Sequence, residues 1–279
     1  MTTTTSEPRA PAAPDLGAIK QRQQGAWSSG DYSIVGTTLV IVSEQLCEAV
    51  DLRAGERVLD VATGNGVTAL AAARRWGDVT GIDYVPALVE RAKERAQADR
   101  LAADFRVADA EALPFDDASF DVVLSTFGVM FTPDQPRAAR ELTRVCRPGG
   151  RIGLANWTPD SYVGQMFKLI ATYAPPPAGA PSPMQWGVEA KLREFFGDSI
   201  RSLEIARRHF DFRYRDPAHF IEVFRAYYGP IHKLYGALEP AKQAALTEDL
   251  TALLRRFDRG GDRGLVVPSE YLEVIATRR

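Results

Sequence analysis

The chain has 279 residues, 45% of them hydrophobic and 25% charged, which is ordinary for a globular fold and enough for a sizeable core. A formal net charge of -2 leaves no basic footprint for nucleic acid. Two isolated cysteines, Cys47 and Cys146, and three histidines without ligand spacing read as reduced core residues and no metal site. No signal-peptide core or membrane-length apolar run is visible, so the expectation is a cytoplasmic protein without a membrane span.

In chain order, 1–17 is rich in Thr, Pro and Ala and reads as a disordered tail. Residues 18–50 follow as a helical segment. Its first half is polar and carries two isolated aromatics, Trp27 and Tyr32, among Gly25 and Gly30. Its second half repeats Leu39, Val42, Leu46 and Val50 at helical spacing. The polar half is placed to act as a lid, with the glycines as hinges; a plain anchoring role for Trp27 is the alternative.

Arg57 to Val61 is a short apolar strand with the run typical of a sheet covered on both faces, and it leads directly into Gly64-Asn65-Gly66. A helix from Val67 to Trp76 follows, ended by Gly77, with its N-terminal amides facing whatever the glycine turn approaches. Asp78 to Asp83 is a second strand, and Pro86 opens a second helix. Phe105 to Asp109 and Phe120 to Thr126 make a third and fourth strand. Thr132-Pro133-Asp134-Gln135 reads as a helix cap with proline at the first helical position, and Arg147 to Gly150 as a stop before a strand at 151–155. In such a sheet the carboxyl ends of the strands border the ligand crevice, which gathers Asp60, Asp83, Asp109 and Ser125 there.

Beyond Trp157 the chain turns Pro-rich and then aromatic. Strand-like alternation at 201–214 and 271–276 and helical periodicity after Asp216-Pro217 and over 238–257 read as a cap of helices plus final strands. The last strand is expected to join the same sheet antiparallel.

Gly64-Asn-Gly-Val-Thr-Ala69 with Asp83 also fits a dinucleotide fingerprint, so an NAD(P)-dependent oxidoreductase is one reading of these residues. Asp60 before the turn argues against it, because a pyrophosphate gains nothing from another carboxylate whereas an ammonium group does.

Taken together, Asp60-Val-Ala-Thr-Gly-Asn-Gly66, Gly81-Ile-Asp83, the block from Asp109 to Val123 and Arg147-Pro-Gly-Gly150 resemble the class I S-adenosylmethionine-dependent methyltransferases of the ubiquinone/menaquinone-biosynthesis type. The resemblance implies an α/β, Rossmann-like, doubly wound seven-stranded sheet, mostly parallel with an antiparallel last strand, and helical cap insertions. The cofactor core is then 51–157, and 158–279 supplies the substrate cap and the strands that complete the sheet. It further implies S-adenosyl-L-methionine as cofactor, Gly64 and its neighbours Ala62 and Thr63 at the methionine end, Asp83 with Tyr84 at the ribose, and Asp109 and Ala110 at the adenine. Trp27 and Tyr32 would cover the site. Ala62 departs from the pattern, since many relatives have glycine there.

The implied reaction is methyl transfer to a small, apolar or aromatic acceptor through oxygen, nitrogen, sulfur or carbon, by in-line displacement; a non-catalytic S-adenosylmethionine-binding protein is a further alternative. Such a displacement needs positioning more than a fixed catalytic residue. Tyr32 and His232 are the weak catalytic candidates, with His209 and His219 behind them. Phe127, Met130, Trp157 and Tyr227 are the acceptor candidates. The expected partner is a small-molecule acceptor, no nucleic acid, and a homo-oligomer is left open.

Overall fold

The computed structural model describes residues 14–279. The tail expected over 1–17 lies mostly outside them, but its last residues are helical: α1 runs Leu16–Trp27, capped by Asp15 accepting from the Ala18 amide. Next come α2 (Tyr32–Gly36) and α3 (Val40–Ala49), on which Val42 and Leu46 are buried as their spacing predicts. The core follows as β1 (Arg57–Val61), α4 (Val67–Ala73), β2 (Asp78–Asp83), α5 (Pro86–Asp99), β3 (Asp104–Val107), β4 (Phe120–Thr126), α6 (Gln135–Val145) and β5 (Cys146–Trp157). The remainder is α7 (Tyr162–Tyr173), α8 (Glu189–Phe196), β6 (Ile200–Tyr214), α9 (Pro217–Tyr227), α10 (Gly229–Ala237), α11 (Pro240–Phe257) and β7 (Leu265–Arg278).

The strands form one seven-stranded sheet in the order β3-β2-β1-β4-β5-β7-β6. β1 to β5 are parallel, and β7 inserts antiparallel between β5 and β6. Strand order reverses between β1 and β4, so the crevice opens at their carboxyl ends. Both faces are covered. α3 and α4 pack with Val58, Val122 and Leu124 on one side, and a larger cluster including Val123, Leu142, Ile152 and the cap aromatics fills the other. Each fully buried Leu or Val contributes roughly 1.5–3 kcal/mol to that association.

Several boundaries differ from the sequence reading: β3 ends at Val107 and leaves Asp109 in the following loop, and the last strand already begins at Leu265. α4 stops at Ala73, because Trp76 takes a left-handed φ of 62° and its carbonyl turns to the Gly55 amide. α6 is capped by Asp134, whose carboxylate accepts from the Arg137 amide, so Thr132 and Pro133 belong to the preceding loop and Pro136 sits in the first turn. Arg147 to Gly150 does not stop the chain before β5: the strand already begins at Cys146 and absorbs these residues through a register shift against β4.

The cofactor-type turn carries a strained backbone. Ala62 has φ of 54° and Gly66 81°, both left-handed, a region that costs an alanine roughly 1–2 kcal/mol. At Gly66 a β-carbon would also come within 3.0 Å of Ala92 and 3.2 Å of the Phe105 ring, so helix and sheet close only over glycine. Ala62→Gly is therefore expected to stabilise the protein by about 1 kcal/mol, read as a higher melting temperature; a lower one would show that the Ala62 methyl contributes more through packing than its backbone costs.

Candidate active site

Two buried carboxylates shape the end of β1 and β2, and they do different things. Asp60, 1% exposed, accepts from the Thr63 hydroxyl at 2.5 Å and from the Ala69 amide at 2.9 Å, pinning the turn to the first turn of α4. Burial pushes its carboxyl up to about 7, those two bonds offsetting only part of the effect. Asp83, 5% exposed, accepts from the Gly64 amide and the Val85 amide, each at 2.9 Å, and so joins the glycine turn to the loop after β2. Burial raises it to about 6, against the pull of the same amides. Asp83 lines the adjoining cavity; Asp60 does not, and neither does Ser125, which donates to the Val61 carbonyl at 2.7 Å and accepts from the Val129 amide at 3.0 Å.

That cavity, with the solvent at its mouth included, holds about 910 Å³ of empty space. Ala62, Thr63, Gly64, Asp83, Tyr84, Asp109 and Ala110 all line it, as do Trp27, Tyr32 and Phe127. A β-carbon on Gly64 would point into the gap below the Tyr32 ring, 3.5 Å away. A glycine turn, an adjacent buried carboxylate and helix amides at this spot fit the methionine and ribose portions of S-adenosylmethionine.

Several lining residues carried no signal recognised in the sequence. Lys20 on α1 reaches Asp109 at 2.6 Å and Glu111 at 2.5 Å, while Glu111 also accepts from the Asp134 amide and Asp109 from the Glu111 amide. Burial alone would lower Lys20, but the bonds to Asp109 and then Glu111 leave it above its ordinary value. Gln24 donates to the Tyr84 carbonyl at 2.6 Å. Lys20, Gln23 and Trp27 lie at i, i+3 and i+7, the signature of one helix stripe, and that stripe faces the cavity. Gly25 is inside unbroken α1; Gly30, with φ of 73°, makes the turn and packs on the Tyr227 carbonyl.

At the far end of α1 the wall is aromatic. Trp27 meets Tyr32, Phe131 and Tyr228 edge-on, with ring centroids 5.5, 5.0 and 5.5 Å apart. Phe127 lines the cavity with a left-handed φ of 55° and stacks flat on Trp157 at 3.8 Å. Trp157 thus stands behind Phe127 and does not line the cavity, and Met130 is wholly buried in the core. Tyr227 is 39% exposed: the phase of α9 turns its successor Tyr228 inward instead. His232 is outside as well, exposed on the cap helices with Nδ1 on the Arg225 carbonyl at 3.0 Å, because α10 directs that face away from the sheet.

The fold and site define a Rossmann-like methyltransferase class. The methyltransferase-domain family profile matches residues 59–154. An uncharacterized protein of Mycobacterium tuberculosis is 38% identical over 99% of this chain and 98% of its own. A demethylmenaquinone methyltransferase of Deinococcus radiodurans is 38% identical over 44% of this chain and 53% of its own. Among solved structures, a putative methyltransferase of Bacillus halodurans superposes with a TM-score of 0.61 at 20% identity, over 84% of this chain and 97% of that one. The chain belongs to the class I S-adenosylmethionine-dependent methyltransferases, and S-adenosyl-L-methionine is its cofactor; the nicotinamide oxidoreductase reading falls. Among the described residues no helix is long and apolar enough to cross a membrane.

Two measurements probe this geometry. Asp60 has a folded-state value above its unfolded one, so the stability it contributes is full below about 4 and is lost as pH rises through about 7. Asp60→Asn keeps an oxygen acceptor without the charge, and its melting temperature relative to the parent is expected to improve from pH 5 to pH 8; a constant difference would mean that Asp60 is not a buried carboxylate. Lys20→Met removes the tie between α1 and two carboxylates, so amide exchange over Leu16–Trp27 should speed at least tenfold, corresponding to about 1.4 kcal/mol or more. Unchanged exchange would assign the docking of α1 to its aromatic end alone.

Proposed function

We propose that the protein transfers a methyl group from S-adenosylmethionine to a small apolar or aromatic acceptor by in-line displacement. The observation that carries this reading is the polarity of the cavity along α1. Lys20, Asp109 and Glu111 sit at one end and Trp27, Tyr32 and Phe131 at the other; at 1.5 Å per residue Lys20 and Trp27 are roughly 10 Å apart along the axis. Asp83 and the Gly64 turn line the same cavity.

In this reading Asp109 and Ala110 address the adenine, the Asp83 carboxylate takes the ribose hydroxyls, Tyr84 lies beside them, and Ala62, Thr63 and Gly64 form the bed of the methionine end. The bound cofactor supplies an electrophilic methyl on a cationic sulfur. Asp60 works at one remove, fixing the Thr63 hydroxyl and the Ala69 amide so that the turn keeps its shape. Trp27 and Tyr32 exclude water and, with Phe127 and Phe131, hold a flat acceptor at near-attack distance, which supports most of the acceleration such a displacement needs. The Deinococcus relative's quinone-type acceptor is compatible with this aromatic wall.

Calorimetry with S-adenosylhomocysteine tests the assignment. Asp83→Ala should weaken binding roughly 30-fold, about 2 kcal/mol, through the loss of charge-assisted bonds to hydroxyls and of the order they impose on Gly64. Unchanged affinity would remove Asp83 from the site. Binding that is intact in the parent protein, with no labelled product across a broad acceptor screen, would favour the non-catalytic binding protein.

A further inference from the structure

The acceptor end of the cavity differs from the rest in chemistry. Six titratable side chains line the cavity: Lys20, Tyr32, Asp83, Tyr84, Asp109 and Glu111. Lys20, Asp109 and Glu111 bind one another at the opposite end, and Asp83 is engaged by two backbone amides. Tyr84 follows Asp83 and stands with it and with Asp109 and Glu111, on the cofactor side. Among the described residues only Tyr32 of these six reaches the aromatic end, where Trp27, Phe127 and Phe131 form the wall and Tyr228 packs behind.

Among the described residues no group there is free to take a proton. Among the described residues no imidazole lines the cavity. His209 is exposed on the edge strand β6, His219 accepts from the Arg215 amide beside the Tyr214 ring, and His232 is held at the Arg225 carbonyl. Tyr32 keeps its own proton: burial first, and then the Asp83 charge, pushes its hydroxyl well up, and burial and then Tyr32 do the same to Tyr228. Lys20 is held protonated by its two carboxylates.

Resting on the methyltransferase reading, we infer that the acceptor is a flat aromatic molecule that brings its own ionised oxygen or sulfur, as an acidic phenol, an enolic hydroxyl on a conjugated ring or an aromatic thiol. The chain supplies the ring's seat and no base. The acceptor's proton is left in bulk water before entry. Its lone pair then forms the bond to the methyl carbon as the carbon–sulfur bond breaks, with that bond's electron pair remaining on sulfur. An anion and a cation become two neutral products inside an apolar enclosure, where the cost of isolating either charge is greatest and their cancellation is most favourable. An aliphatic alcohol or a protonated amine arrives with a proton that nothing at this end removes.

The test uses the full-length protein with S-adenosylhomocysteine and two chromophoric probes, 4-nitrophenol and 4-nitrothiophenol, whose ionised forms are read by absorbance. The bound probes are expected to ionise at the same pH as in water or higher, since the homocysteine form carries no sulfonium and the wall is apolar. Tyr32→Phe should not move that midpoint. With S-adenosylmethionine and a series of substituted phenols and thiophenols, the midpoint of the pH–rate profile should follow the acidity of each acceptor, and His209→Ala, His219→Ala and His232→Ala should leave it in place.

A bound-probe midpoint lowered by about one pH unit or more and restored by Tyr32→Phe would overturn the inference by identifying a base. So would one midpoint common to acceptors of different acidity, or benzyl alcohol and benzylamine methylated as fast as the phenols. A protein that binds S-adenosylhomocysteine but neither binds nor methylates any acidic aromatic probe refutes the acceptor class and leaves the cofactor reading standing. Failure to bind S-adenosylhomocysteine at all would refute that reading instead.

Discussion

One buried carboxylate holds the two loops of the site in register. Asp83 takes the Gly64 amide on one oxygen and the Val85 amide on the other, so the turn after β1 and the loop after β2 cannot move independently. The Thr63 amide adds a bond to the Ile82 carbonyl at 2.8 Å, and Asp60 ties the same turn down to α4. Burying two carboxylates is costly, and burial raises both, the Asp83 charge adding to the rise at Asp60. Backbone amides and the Thr63 hydroxyl rather than cations satisfy them, and Lys20, which lines the same cavity, is paired with Asp109 and Glu111 instead.

The same turn concentrates backbone strain. Ala62 and Phe127 are both left-handed and both line the cavity, one leaving β1 and the other leaving β4 on either side of the switch in strand order. Such conformations persist only where the surroundings over-determine them. Here the flat stack of Phe127 on Trp157 and the edge contact of Phe127 with Tyr271, at 5.5 Å, do so from below. The strained residues thus present the aromatic face of Phe127 to the cavity while the sheet behind it stays closed.

α1 is fastened at both ends by different forces. At Lys20 the tie is ionic and part-buried; at Trp27 it is a set of edge-to-face ring contacts, individually worth about 0.5–1.5 kcal/mol beyond burial. An ionic tie weakens with salt and an aromatic one does not. The aromatic end is therefore the less salt-sensitive of the two attachments.

The sequence by itself determined the core. Apolar runs at Val58 to Val61 and Val122 to Leu124 mark covered strands, the terminal carboxylate Asp83 marks a strand end, and Gly64 and Gly66 mark the turn, because these are local demands of backbone geometry and burial, whereas Asp109 falls two residues past the end of β3. It also indicated Trp27 and Tyr32, since large aromatics are conspicuous in a polar segment. What it did not separate was the direction of a side chain from its position. Asp60 and Ser125 stand at strand ends as expected yet turn inward to hold the chain, and Tyr228 rather than Tyr227 is buried, packing behind Trp27 and Tyr32, because a shift of one residue rotates a helical side chain by about 100°. The pairing of Lys20 with Asp109 and Glu111 joins residues some ninety positions apart, and the exclusion of His232 depends on how α10 packs. Those are consequences of three-dimensional packing, in which charge pairing and helix phase are fixed by distant partners, and only the tertiary structure decided them.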